Sequence, residues 1–141
     1  MAFFALLLLL ESCAEPPVSQ ESIGWAGHRF HEVRTLKELP TDVQVALGVG
    51  TSGLEGIADR KGKYNPTDVI DSSLPMRRFL VAGIDGDATL VALEHGGFGW
   101  RVEVILFDHA DPKTTTVLFE SPQTLRALVD HLTAGPAKIP D

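Results

Sequence analysis

The chain of 141 residues contains one cysteine, Cys13, so no disulfide can form within it. Basic residues are scarce as well: 12 Lys and Arg stand against 19 Asp and Glu, a net charge of −7 at neutral pH. A protein that binds nucleic acid needs a basic surface to neutralise phosphates, so the composition argues against nucleic acid as a partner. The same balance argues against an electrostatic contact with a membrane.

Long hydrophobic runs are also lacking. The one run of note covers residues 1–10, which are all apolar, and it stops at Glu11. A membrane-spanning helix needs about 20 apolar residues, so this run is too short to cross a bilayer. Its length is that of the hydrophobic core of a secretory signal peptide, about 7–15 residues.

Leu10-Glu11-Ser12-Cys13 follows this run and resembles the lipobox of bacterial lipoproteins. The resemblance implies that residues 1–12 are a signal peptide, that Cys13 becomes the lipidated N-terminus, and that the protein is exported and faces the periplasm. Residues 13–22 then form the lipidated cysteine and a proline-containing tether. The membrane contact is expected through the lipid anchor only. The alternative is a cytoplasmic protein without a lipid, in which the first ten residues pack into the core.

The second half of the chain predicts four consecutive strands. Apolar runs cover residues 78–84, 88–94, 100–107 and 114–119, with short polar or glycine-rich connections. Asp85-Gly86-Asp87 is a strong hairpin signal, because glycine accepts a positive φ without steric cost. The short connections predict an antiparallel meander. Residues 25–33 form either a fifth strand or an irregular lead-in.

Two helices are predicted. The sequence over residues 41–47 indicates a short helix that ends at Gly48, with Val43 and Leu47 facing inward. Ser121 as N-cap and Pro122 as first residue begin the second helix, over residues 122–132. Its apolar face contains Leu125, Leu128, Val129 and Leu132. We therefore predict an α+β fold: residues 23–141 form one domain, a four- or five-stranded antiparallel meander with the C-terminal helix on one face.

Two motifs that suggest cofactors are rejected. Residues 48–53 match the G-x-G-x-x-G pattern, but a helix rather than a strand precedes them, so a dinucleotide site is not expected. His28 and His31 lack the second pair of ligands that a structural metal site needs. We expect no cofactor, no metal and no catalytic residue.

Two segments are the candidate sites for a partner or ligand. Residues 58–79 concentrate basic side chains, which either bind an acidic partner or pair with acidic residues nearby. Residues 94–100 (EHGGFGW) place two aromatic residues around glycines, so this turn either packs internally or binds through an exposed aromatic ring. The candidate binding residues are Arg60, Lys61, Lys63, Arg77, Arg78, Phe98 and Trp100.

These segments are similar to small exported bacterial proteins without an assigned activity. The hypothesis for function is a non-enzymatic binding module of the cell envelope, which holds an unidentified protein or small ligand; an inhibitor or an immunity protein is one version. The rival is a small hydrolase that uses Glu94, or an aspartate of the long loop, together with a histidine. A deep pocket that gathers these groups would favour the hydrolase, and a flat or convex surface would favour the binding module.

Overall fold

The structure, a computed structural model, describes residues 14–18 and 20–135. The predicted lipidation site, Cys13, lies outside these residues. Within them, no helix is both long enough and apolar enough to span a membrane. The described part contains seven strands and two α-helices: β1 (Ile23–Trp25), β2 (His28–Val33), α1 (Thr41–Leu47), β3 (Ile57–Ala58), β4 (Arg77–Asp85), β5 (Ala88–His95), β6 (Arg101–Asp108), β7 (Asp111–Leu118) and α2 (Leu125–Ala134).

All seven strands belong to one sheet, in the order β1-β2-β4-β5-β6-β7, with β3 beside the start of β4. Strands β4 to β7 pair antiparallel in sequence, which confirms the predicted meander and the α+β class. The predicted total of four or five strands is wrong, since it omits β1 and β3. These strands have three and two residues, too few to show the alternation that identifies a strand.

The central strands are apolar on both sides, so other elements must cover both faces of the sheet. On β5, Leu90 and Ala92 belong to one hydrophobic core, and Val91 and Leu93 belong to the other. Successive side chains of a strand point to opposite faces, so the two cores lie on opposite sides of the sheet. Helix α2 covers the first core, and α1 with the 3₁₀ turn before it covers the second.

Helix α1 has the predicted bounds. Val43 and Leu47 are buried, and Gly48 ends the helix with a left-handed φ of 78°. Helix α2 begins later than predicted, at Leu125, because Thr124 rather than Ser121 is its N-cap. The Thr124 hydroxyl accepts a hydrogen bond from the amide of Ala127 at 3.1 Å, which satisfies one of the free amides of the first turn.

A second side chain completes the start of α2. Glu32 of β2 is buried, and its carboxylate accepts a hydrogen bond from the Leu125 amide at 2.8 Å. Glu32 also pairs with the buried Arg34, which directly follows β2. A carboxylate next to a helix N-terminus is favourable, because the free amides carry partial positive charge. This long-range cap joins α2 to the sheet.

Candidate functional site

Three connecting segments meet at one end of the sheet, next to Arg78 of β4 and Glu94 of β5. They are the loop of residues 59–76, the turn of residues 96–100, and residues 119–124 between β7 and α2. The strand register places Arg78 directly opposite Glu94. The two segments that the sequence singles out are therefore neighbours in the fold.

The loop of residues 59–76 is organised by one side chain, Asn65, which is 2% exposed. Its amide nitrogen donates to the carbonyls of Asp71 and Leu74, both at 2.9 Å, and its amide oxygen accepts from the Asp71 amide at 2.8 Å. A buried backbone without regular structure needs partners for its polar groups, and Asn65 supplies them. The loop therefore has a defined shape despite its lack of periodicity.

The turn of residues 96–100 fits against this loop. The Gly96 amide donates to the Met76 carbonyl at 2.9 Å. A Cβ atom added to Gly96 would lie 1.7 Å from the carbonyl oxygen of Asn65, so no larger residue fits there. Gly97 and Gly99 have φ values of 85° and 78°, a backbone conformation that glycine adopts most readily. These contacts fix the turn against the loop.

A buried polar cluster lies on the α2 side of this junction. The Glu94 carboxylate, 7% exposed, accepts hydrogen bonds from Arg78 Nε at 2.8 Å and from the Ser121 hydroxyl at 3.0 Å. The Arg78 guanidinium lies 4.4 Å from the centre of the Tyr64 ring, a cation–π contact. Burial, followed by the negative charge of Glu94, raises the pKa of Tyr64. The cluster thus joins the loop, two strands and the segment before α2.

Phe98 stands at the tip of the turn and is 92% exposed. Next to it is a hollow of about 320 Å³, lined by Pro66, Thr67, Asp68, Gly97, Phe98 and Gly99. Val69 and Ile70, the residues after Asp68, are 81% and 46% exposed. We call residues 66–70 and 97–99 together the Phe98 surface. It presents exposed apolar side chains on a backbone that Asn65 and Gly96 hold in place.

The two aromatic residues of the turn have different environments. Trp100 is half-buried and packs against the α2-side core, whereas Phe98 points into solvent. Of the two predicted alternatives for this turn, internal packing therefore applies to Trp100, and an exposed aromatic ring applies to Phe98.

The five basic candidates are not brought together as one patch. Arg77 donates to the carbonyls of Leu47 and Glu55, at 2.7 and 3.2 Å. Arg60 donates to the Gln123 carbonyl at 3.0 Å and pairs with Glu15 at 2.9 Å. These guanidiniums, like that of Arg78, are occupied within the protein.

The two lysines are exposed. Lys61 pairs with Glu15 at 3.1 Å, and 70% of its side chain is exposed. Lys63 is exposed too, and we find no hydrogen bond or ion pair for its side chain in the part of the chain that the structure describes. Among the five basic candidates, the exposed cationic groups are therefore those of Lys61, which Glu15 pairs, and Lys63.

Three residues that matter at this end of the sheet were not among the sequence candidates. Tyr64, the only tyrosine, contacts Arg78. Val69 and Ile70 are two adjacent apolar residues between two aspartates in a polar loop. This local pattern could have indicated that the loop exposes apolar side chains.

An acid/base pair built on Glu94 would require a histidine close to its carboxylate. His95 is the next residue, but it lies on the opposite face of β5, in register with Arg77 and Arg101. The Glu94 carboxylate is engaged by Arg78 and Ser121. Among residues 14–18 and 20–135, no group of three or more His, Cys, Asp or Glu side chains is placed to hold a metal ion. These contacts of Glu94 therefore do not favour the hydrolase.

Comparison of the chain with protein-family models, curated proteins and solved structures finds no match.

Proposed function

We propose that this protein is a lipid-anchored binding module of the bacterial cell envelope and that it binds a partner protein through the Phe98 surface. The observation that supports this most directly is the 92% exposure of Phe98 on a fixed turn. Exposed aromatic side chains are costly in water and are enriched among the residues that dominate binding energy at interfaces.

The rigidity of the Phe98 surface supports the same function. Binding costs less free energy when the binding groups are already held in place. Asn65 holds the loop, and Gly96 fits against that loop with no room for a side chain. A fixed, protruding turn is suited to filling a cleft in a partner, as an inhibitor does with an enzyme.

The chemistry of the Phe98 surface indicates the kind of partner. Phe98, Val69 and Ile70 require an apolar recess. Asp68 lies in the wall of the hollow, and the chain is acidic overall, so a basic rim on the partner would be complementary. The hollow is open at the exposed ring of Phe98, which suits a protein surface better than an enclosed small ligand.

Photocrosslinking tests the binding surface. A photoreactive phenylalanine analogue replaces Phe98 in the protein expressed in its source cells, and the same analogue replaces Val45 as a control. Val45 is 75% exposed but belongs to α1, which covers the face of the sheet opposite to α2. We expect an adduct from position 98 that is absent from position 45. Competition with excess unmodified protein should abolish it, whereas competition with Phe98→Ala should not. Identical adducts, or none, would contradict the proposal.

Intact mass tests the anchor separately. We expect loss of residues 1–12 and a gain of acyl mass, and a Cys13→Ser variant that shows neither. An unmodified full-length mass would overturn the lipoprotein assignment and leave the crosslinking result to stand on its own.

A further inference from the structure

The segment that follows Cys13 is bound to the domain at two points. At the first, the Glu15 carboxylate lies 2.9 Å from Arg60 Nε and 3.1 Å from Lys61 Nζ. The Arg60 side chain is only 8% exposed, and it also donates to the carbonyls of Leu80 and Gln123. Glu15 is thus held by a guanidinium that is itself built into the domain.

At the second point, the carbonyls of Pro16 and Pro17 accept hydrogen bonds from the guanidinium of Arg34. Arg34 is buried and pairs with Glu32, the residue that caps α2. Prolines lack an N–H group, so their carbonyls are the backbone groups available for such contacts. Residues 15–17 therefore belong to the domain surface rather than to a free spacer.

From this arrangement we propose that residues 15–17 hold the domain directly against the membrane, with Lys61 and Lys63 facing anionic lipid headgroups. The proposal rests on the acylation of Cys13 proposed above. Cys13 is two residues before Glu15, a span of at most about 7 Å in a fully extended chain. Acyl chains on Cys13 would therefore enter the bilayer beside Arg60 and Lys61.

Local charge fits this orientation. The net charge of the whole chain predicts no electrostatic contact with a membrane, but residues 59–63 differ from the average. Glu15 and Asp59 offset two of the three cations in this region, Arg60, Lys61 and Lys63, which leaves one net positive charge. The two lysines are the exposed members. A lysine close to an anionic membrane strengthens binding by about fivefold, so the lysines orient a domain that the lipid already holds.

Quenching by labelled lipids tests the orientation. The acylated full chain, verified by intact mass, is placed in vesicles of phosphatidylcholine and phosphatidylglycerol that contain a headgroup nitroxide lipid. A bimane fluorophore is attached to Lys63→Cys or, as control, to Asp87→Cys. Asp87 is 75% exposed and lies in the turn just before β5, whereas the loop that carries Lys63 meets the other end of β5 at Glu94. The strand between these ends is about 25 Å long. Cys13 does not compete for the label, because its sulfur is a thioether in the acylated protein.

We expect quenching at position 63 to exceed that at position 87 by about twofold or more, since the quenching depends steeply on distance from the headgroups and the length of β5, about 25 Å, separates the two ends of the sheet. A flexible Gly-Ser insert of roughly twelve residues between Cys13 and Ala14 should reduce the difference, because the domain is then free to rotate. Lys61→Gln in the position-63 background should reduce quenching in the anionic vesicles but not in phosphatidylcholine alone.

Equal quenching at positions 63 and 87 in the acylated protein would overturn the orientation and leave the lipoprotein assignment intact. An insert without effect would overturn the role of residues 15–17. An unacylated chain would overturn both the orientation and the anchor. Because Gly96 fits against Asn65, the Phe98 surface lies at the same end of the sheet as Lys63, so the orientation also places the partner crosslinked at position 98 next to the membrane. An adduct at position 98 does not require the lipid anchor, so the two proposals can fail separately.

Discussion

The guanidinium of Arg78 lies 2.6 Å from the carboxylate of Glu94, on the neighbouring strand, and Glu94 is almost fully buried. A buried carboxylate without its cation is costly, whereas replacement of both partners by apolar residues can be nearly neutral. The pair joins β4 to β5 at the end of the sheet where the Phe98 surface is built, and loss of Arg78 alone would leave Glu94 buried without its cation.

For this ion pair, we expect Arg78→Leu to lower the free energy of unfolding by about 3 kcal/mol, the low end of the range for buried pairs, because Arg78 is itself 28% exposed. The double variant Arg78→Leu/Glu94→Leu should be more stable than the single variant. Urea denaturation measures both. Lys63→Ala, an exposed control, should change stability by less than about 0.5 kcal/mol. A double variant as unstable as Arg78→Leu would show that the pair is not responsible.

For the turn, Gly96→Ala should destabilise the protein by about 2–3 kcal/mol or more, since the added Cβ meets a backbone oxygen at 1.7 Å. Gly99→Ala is the matched control, because nothing lies within 4 Å of its added Cβ and only its φ of 78° opposes the change. Its cost should be about 1–2 kcal/mol. Thermal unfolding of the two variants separates two costs: the steric clash of the added Cβ, which Gly96→Ala reports, and the unfavourable φ, which Gly99→Ala reports. Equal losses would contradict the tight fit between Gly96 and Asn65.

For acid sensitivity, the relevant group is Glu38. The hydroxyl of Thr35 donates to its carboxylate at 2.6 Å, and the Thr35 amide donates at 3.0 Å. The hydrogen bond from the Thr35 hydroxyl is the largest cause that lowers the pKa of Glu38 below its ordinary value.

Because folding lowers this pKa, the stabilisation is fully present above the unfolded value of about 4.3 and is lost as the pH falls through the folded value. We expect the stability difference between wild type and Glu38→Gln to be largest near neutral pH and to shrink below pH about 4. Denaturation at several pH values measures it. Thr35→Ala should shrink the same acid-dependent difference, and a difference that is constant with pH would refute this prediction.

For the two phenylalanines, Phe98→Ala should leave stability within about 0.5 kcal/mol of wild type, since the ring is 92% exposed. Phe79→Ala, at a residue that is fully buried, should cost about 3–5 kcal/mol. Calorimetric unfolding compares the two variants. A large loss from Phe98→Ala would mean that the ring contributes to folding and would weaken its role as a binding group.

The sequence predicts the elements with local signals and not those that depend on distant partners. The β4–β5 hairpin follows from Asp85-Gly86 between apolar runs, and α1 follows from its two inward residues and Gly48. Strand β3 exists only because Ile57 and Ala58 pair with Arg77 and Arg78. Similarly, the second cap at the start of α2 comes from Glu32, which is 93 positions away from Leu125.

The candidate site shows the same division. The sequence identifies the loop and the turn, because their glycines and charges are local features. It does not show which charges are used internally: Arg77 binds carbonyls, whereas Lys63 remains exposed. That distinction depends on how Asn65 and Gly96 bring separate segments together, and no local pattern encodes it.

The fit between Asn65 and Gly96 has a consequence for how this protein diversifies. The constraint falls on the ends of the turn, and the residue at its tip, Phe98, touches little of the domain that supports it. Related chains should therefore keep an asparagine and a glycine at these two positions while position 98 varies with the partner. Because the fold depends on the ends of the turn and not on its tip, position 98 and its neighbours could be varied to select new binding specificities without a change of fold.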